Sequence, residues 1–551
     1  MILQWKPLVS LAAISLALAA CGGDNTEPQH PTAATQKGVV QGVLHSSGTM
    51  NQFLGIPYAE PPVGALRWRA PVAPAAWTGT RDTSKYGNHC PQKDTSPLSS
   101  YGTAGGQEDC LYLNVFTPTT PGPHPVMVWI HGGAFIYGRG LGYTPTRLIE
   151  KGVVVVTINY RLGALGFLAH PALNDAAGHS GNYGVMDQTL ALRWVKDNIA
   201  SFGGDPANVT VAGQSAGAAS VLTQLNTPKA AGLFQKAILE SGPAGSSPTG
   251  SAAQTSGATA ASTDFGCPND ANAAACLRAL PLSTIIAKQS SATFSASNAP
   301  NVDGDYLVQS NAQAVSTGKL SSKVPILIGN TANEYTSLLA SEETALNNPD
   351  VAPGSPASVL KLPGAPGYKN LLATDAELSA RLAASFGPLA NTVNAQYPAS
   401  AYGGSRPLAY SAAITDSLFA CGNRQTAKAL TASGIPVYAY EFDDPNAPMA
   451  LQPPVSYPFL SYHASEIQYL FDLPSTAQLN DAQRVLASRM VDYWTQFVKS
   501  PTGNPNASGN AWPAYTGTEE QVLRFSPAGV SVFTNFKTLH KCSTLWTPSL
   551  P

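Results

Sequence analysis

The 551-residue sequence carries little charge. Only 12% of its residues are Asp, Glu, Lys or Arg, and the net charge is −2. No basic stripe runs through it, which argues against a nucleic-acid partner. The apolar run from Leu8 to Ala20 has thirteen residues, short of the about 20 that a membrane-spanning helix needs. No CxxC occurs, and no Cys/His cluster has zinc-like spacing, so neither a metal nor an organic cofactor is expected. No internal repeat marks a solenoid or propeller. What the chain does have is 49 Gly and 45 Pro, which imply many turns and long surface loops, and 44% hydrophobic residues, enough for a large core. Length alone suggests three or four domains, but large α/β folds also run as one unit.

The amino terminus reads as an export signal. Lys6 precedes the apolar run, which places a secretory signal peptide over residues 1–20. The run closes on Leu18-Ala19-Ala20-Cys21, similar to the lipobox of bacterial lipoproteins, where cleavage leaves a lipidated Cys at the new terminus. The alternative is an ordinary signal peptide cut near Ala19, giving a periplasmic or secreted protein. Residues 21–36 are polar and read as a flexible tether, leaving residues 37–551 as a single catalytic domain. Gly22 rather than Asp follows Cys21, which points to the outer membrane of the cell envelope. Export also bears on the cysteines: with Cys21 lipidated, six of seven remain, an even number in an oxidising compartment. Fifteen pairings are open to them in principle; Cys90 with Cys110 and Cys267 with Cys276 are the local pairs.

Short apolar runs give the order of elements. Pro125 to Ile130, Val153 to Ile158, Val209 to Ala212, Val324 to Ile328 and Val437 to Phe442 read as strands buried on both faces. Asp187 to Phe202 carries a helical stripe of Leu190, Trp194, Val195 and Ile199. Strands alternating with helices imply an α/β fold around a large, mostly parallel central sheet. The stretches 243–297 and 349–407 read as helical and loop insertions around the site.

The strand at Val209 ends in Gly213-Gln214-Ser215-Ala216-Gly217, a G-x-S-x-G run between a strand and a helix. This is the pattern of a nucleophile elbow, in which a tight turn lifts the Ser215 hydroxyl out of the sheet's carboxyl end. Glycines flank it because backbone segments come too close there for side chains. The helix that follows would offer the Ala216 N–H to a developing oxyanion.

A serine nucleophile needs a base. In the α/β-hydrolase order the acid and the histidine follow the serine. Of nine histidines only His463 and His540 come after Ser215. His463 lies in the loop after the Val437–Phe442 strand, the expected home of the base, and is preferred. Glu334, just beyond the strand starting at Val324, is the preferred acid, with Asp443 its rival; it would hold the imidazole tautomer. His131-Gly132-Gly133-Ala134-Phe135 follows another strand, as an oxyanion loop does, so the N–H groups of Gly133 and Ala134 join that of Ala216.

Taken together these residues resemble the type-B carboxylesterase family, α/β-hydrolases that include cholinesterases and some lipases. The resemblance runs from about residue 37 to the carboxyl terminus. It is carried by Phe53–Trp68 (FLGIPYAEPPVGALRW), Glu108–Pro118 (EDCLYLNVFTP), Asn159–Leu168 (NYRLGALGFL) and the long run through the elbow. It implies Ser215 as nucleophile, Glu334 as acid and His463 as base. It also implies disulfides Cys90–Cys110 and Cys267–Cys276, which leaves Cys421 for Cys542. Two residues depart from the family pattern. Gln214 stands where a Glu usually precedes the nucleophile, which removes a negative charge and weakens any choline-ester reading. Ala134 stands where many members have a third Gly; members with this loop type accept bulky alcohol groups.

The expected activity is hydrolysis of short, medium-chain or aromatic carboxylic esters through an acyl-enzyme. A histidine base predicts activity that falls as the pH drops below about 6–7. The alternatives are a lipase for long chains, and a non-catalytic surface binding protein of the same fold. The partners expected are a small-molecule ester and, through Cys21, a membrane.

Overall fold

The computed structural model describes residues 30–93, 105–289, 299–351, 357–449, 452–474, 477–506 and 511–546. The expected signal peptide and Cys21 lie outside them. In chain order the strands are β1 (Thr32–Thr35), β2 (Gly38–Gln41), β3 (Val43–Leu44), β4 (Met50–Pro57), β5 (Thr80–Asp82), β6 (Tyr112–Pro118), β7 (His124–Ile130), β8 (Val154–Ile158), β9 (Gly204–Gln214), β10 (Lys236–Glu240), β11 (Ile326–Thr331), β12 (Val437–Phe442), β13 (Val522–Ser526) and β14 (Gly529–Phe533). Strands β1, β2 and β5 form a small separate sheet. The other eleven lie in the order β14-β13-β12-β11-β10-β9-β7-β8-β6-β4-β3.

The heart of this sheet, from β13 through β8, is parallel. Its two margins are antiparallel: β14 on one side, and β6, β4 and β3 on the other. The expected large, mostly parallel sheet is thus present, as a mixed sheet with a parallel centre. The centre is apolar on both faces because both are covered. Val126, Val128 and Ile130 of β7 join one core cluster, and the alternate residues Met127 and Trp129 join the other, as the two-residue period of a strand requires. Helices Tyr183–Asn198 and Ala216–Asn226 contribute to the first cluster. Helix Asp481–Lys499, opened by an Asn480–Gln483 capping box, contributes to the second.

The expected tether ends sooner than residue 36. Thr32–Thr35 pairs antiparallel with Gly38–Gln41, Ala33 is buried in the core, and the Gln36 N–H donates to Asn198 Oδ1 at 2.7 Å. Ala33 is the inward residue of this strand, between exposed Thr32 and Ala34. The six cysteines of the described residues form three disulfides, Cys90–Cys110, Cys267–Cys276 and Cys421–Cys542. Between β10 and β11 stand helices Gly250–Thr263, Ala273–Ala279 and Leu282–Lys288; between β11 and β12 stand Asp375–Phe386 and Ala390–Gln396 among others. The loops that leave the carboxyl ends of β7, β9, β10, β11 and β12 all emerge on one rim, where open α/β sheets place their chemistry.

Candidate active site

Strand β9 runs to Gln214 and the next helix begins at Ala216, so Ser215 alone makes the turn. It does so at φ 58° and ψ −123°, a conformation that costs a non-glycine residue on the order of 1–3 kcal/mol. Neither flanking glycine could be larger. A Cβ on Gly217 would sit 2.0 Å from the Ile130 carbonyl oxygen, and one on Gly213 would sit 2.6 Å from the Gly217 backbone. The Ser215 N–H donates to the Glu240 carbonyl at 2.8 Å. Gln214 and Ala216 are buried, but Ser215 is only partly so and reaches solvent.

Opposite it, the loop after β7 turns through three successive positive φ values, at Gly133 (107°), Ala134 (51°) and Phe135 (62°). Ile136 and Tyr137 N–H groups donate back to the Gly133 carbonyl. Among the described residues, no hydrogen bond uses the backbone N–H of Gly133, Ala134 or Ala216. His131 holds the base of this loop. Its Nδ1 lies 2.8 Å from the Gly132 carbonyl, its ring stacks on Tyr160 at 4.5 Å, and the Tyr160 hydroxyl donates to the His131 carbonyl. Burial pushes the His131 imidazole down to about 4, against the pull of the Gly132 carbonyl. The ring is therefore neutral at ordinary pH, and its Nδ1–H donates to Gly132.

His463 and Glu334 meet directly. His463 Nδ1 lies 2.5 Å from Glu334 Oε2 in a pair that is almost fully buried. Glu334 Oε1 accepts the Thr331 N–H at 2.7 Å, so both of its oxygens are engaged. The two loops are tied again by Asn333, whose N–H donates to the Ser461 carbonyl and whose side chain accepts the Ser461 N–H. Asp443, the rival acid, accepts from Ser461 Oγ and pairs with Arg524 instead. His463 Nε2 faces Gln214 Nε2 at 3.1 Å. A carboxylate can only accept, so the ring proton sits on Nδ1 and the Gln214 amide donates to Nε2. Among the described residues Ser215 Oγ makes no hydrogen bond with His463. The sheet thus brings Ser215, His463, Glu334 and the oxyanion loop to one rim, with Gln214 on the ring nitrogen that would serve the serine.

Sequence order did not foresee what lies beneath. Glu466, three residues after His463, is buried and accepts from Ser241 Oγ at 3.3 Å. Glu240, at the end of β10, accepts from Trp494 Nε1 at 2.8 Å. Glu240 Oε2 and Glu466 Oε2 have no partner among the described residues. Burial pushes the Glu240 carboxyl up to about 8; burial, then Glu240 and Glu334, push Glu466 well above the carboxylate range. The Phe419 ring closes another side, 5.4 Å from the His463 ring.

His540, the histidine passed over as base, is nowhere on this rim's open side. It is buried between two carboxylates, Asp416 and Glu441.

The sequence profile of the carboxylesterase family matches residues 29–543. The para-nitrobenzyl esterase of Bacillus subtilis (strain 168) is 35% identical over 516 residues, 90% of this chain and 94% of that one. The acetylcholinesterase of Bungarus fasciatus is 32% identical over 537 residues, 90% of this chain and 82% of that one. The fumonisin B1 esterase of Sphingopyxis macrogoltabida is 47% identical over 237 residues, 42% of each chain. Among solved structures, a PNB esterase superposes with a TM-score of 0.73 at 31% identity, covering 94% of this chain and all of that one.

Proposed function

Since the chain belongs to the carboxylesterase family and is a carboxylic ester hydrolase of the α/β-hydrolase fold, we propose that it cleaves short-chain, medium-chain or aromatic esters through an acyl-enzyme on Ser215. The observation that carries this reading is the buried 2.5 Å contact of His463 Nδ1 with Glu334 on the rim that exposes Ser215. Ser215 Oγ attacks the ester carbonyl as His463 Nε2 takes its proton; the Gln214 amide gives up that nitrogen as the serine turns to it. The oxyanion forms among the N–H groups of Gly133, Ala134 and Ala216. Such donors are worth about 10²–10³ in rate each. His463 then protonates the departing alcohol, and water repeats the sequence on the acyl-enzyme. Glu334 holds the ring tautomer and balances the imidazolium.

Two features support aromatic groups in the ester. Phe419 lies beside His463, and one of the relatives matched over 90% of the chain is named for a para-nitrobenzyl substrate. A fluorophosphonate probe tests the assignment. It should label one peptide, that of Ser215, with hydrolysis lost in proportion; labelling elsewhere with loss of activity would move the nucleophile.

We further propose that the enzyme works at a cell-envelope surface, anchored through Cys21. The lipobox-like run supports this, as do three disulfides of the kind that persist in oxidising compartments.

A further inference from the structure

His540 Nδ1 lies 2.5 Å from Asp416 Oδ1, and His540 Nε2 lies 2.6 Å from Glu441 Oε2. Carboxylate oxygens accept and do not donate, so both ring nitrogens must carry a proton. His540 is an imidazolium, 4% exposed, clamped from two sides. Asp416 belongs to a π-helical turn, Thr415–Ala420, set between helices Arg406–Ile414 and Cys421–Ala432. Such turns are rare and cluster at functional sites.

This turn reaches the catalytic rim twice. Phe419 packs on the His463 ring, and Thr415 Oγ1 accepts the N–H of Tyr335, the residue after Glu334. On its other side the turn is held by the carboxyl-terminal segment. Cys421, which follows the turn, is bonded to Cys542; Asp416 takes His540 and the Tyr397 hydroxyl, and Trp546 donates to Tyr397.

We propose that His540 is a positioning residue for ester hydrolysis: its doubly clamped ring fixes the π-turn that seats Phe419 against His463. The proposal rests on His463 being the base. Loss of the His540 proton would leave a carboxylate facing a ring lone pair and release the turn. The charged and titratable groups around the ring are Asp416 of the turn, Glu441 of β12 and, behind them, Tyr397, Tyr402, Lys541 and Arg524. Arg524 Nε lies 3.5 Å from Glu441 Oε1. Burial alone would lower the His540 pKa, but Glu441 and Asp416 overcome it and raise it to about 10.

The test is the pH dependence of kcat/KM between pH 7 and 11, with active sites counted by fluorophosphonate titration. The wild-type enzyme should show a reversible alkaline limb with a midpoint near 10. His540→Gln should lose that limb and lower kcat per titrated site about tenfold, the scale of a small misplacement at a base. Phe419→Ala should lower kcat similarly, and the double variant should be no worse than the poorer single, because both act through one contact. If His540→Gln yields no titratable sites, Asp416→Asn replaces it; His540 then keeps only Glu441, so kcat should fall similarly and the limb should move to lower pH rather than vanish. A rate flat through pH 10.5 in the wild type, a limb that persists in His540→Gln or stays in place in Asp416→Asn, or losses that multiply would overturn the proposal. His463→Ala separates the two readings. Activity surviving that change removes the base and this proposal with it. An inactive His463→Ala beside an unaltered His540→Gln removes this proposal alone.

Discussion

The Gln214 side chain lies 3.1 Å from His463 Nε2, on the one ring nitrogen left free by Glu334. An amide can serve this nitrogen in either protonation state: its NH2 donates to the neutral ring, and its oxygen, after a flip, accepts from the imidazolium. A glutamate there could only accept.

Gln214→Glu should therefore stabilise the imidazolium. The acid limb of kcat/KM should move up by about one pH unit, read from rate profiles of the two proteins on a neutral ester. An unmoved limb would mean that residue 214 does not face the base in solution.

His131→Phe keeps a ring for Tyr160 to stack on but removes the donor to the Gly132 carbonyl. The oxyanion loop should lose register. We expect kcat to fall about 10- to 100-fold with little change in KM. An equal loss in both would place His131 in substrate binding instead.

Gly217→Ala would push a methyl to 2.0 Å from the Ile130 carbonyl. Backbone cannot yield as a side chain can, so the elbow should open or the protein fail to fold. The variant should show less soluble protein and no fluorophosphonate labelling, whereas Gly245→Ala, where an added Cβ meets nothing within 4 Å, should behave as wild type.

His540 also predicts how stability varies with pH. Its folded pKa is raised to about 10, while the unfolded value is about 6.5. The folded state thus holds the proton more tightly. That contribution is complete below about pH 6.5 and is lost as the pH rises through 10. Urea midpoints should decline across this window, and the decline should be shallower in His540→Gln.

Much of the fold was legible because the central strands are apolar on both faces. Val437–Phe442 and Val153–Ile158 stand out as runs and match β12 and β8 to within a residue. The margins were not legible. β14 reads Gly-Val-Ser-Val-Phe with no residue buried, and β3 is two residues long, so neither forms a continuous apolar run of strand length. Each sits at an edge and pairs only with the strand next to it in the chain, β14 with β13 through a tight hairpin and β3 with β4. For the site, chain order singled out Ser215, Glu334 and His463, and the fold brings the last two into contact. The Gln214–His463 contact spans 249 residues and has no local signal. The same holds for the acids beneath the ring: Glu240 and Glu466 look like any other glutamates until burial raises them. His463 and His540 both follow Ser215, and only the place of His463 after the Val437–Phe442 strand favours it in the sequence. What separates them is what faces each ring, one carboxylate for the first and two for the second.

Ser215 as the nucleophile of an esterase is open to a direct measurement. The most direct test is the initial rate on p-nitrophenyl esters from acetate to palmitate, for the mature protein and for Ser215→Ala. The rate should peak at short to medium chains, with no turnover in the variant beyond the uncatalysed rate. Turnover that survives in Ser215→Ala would contradict that assignment.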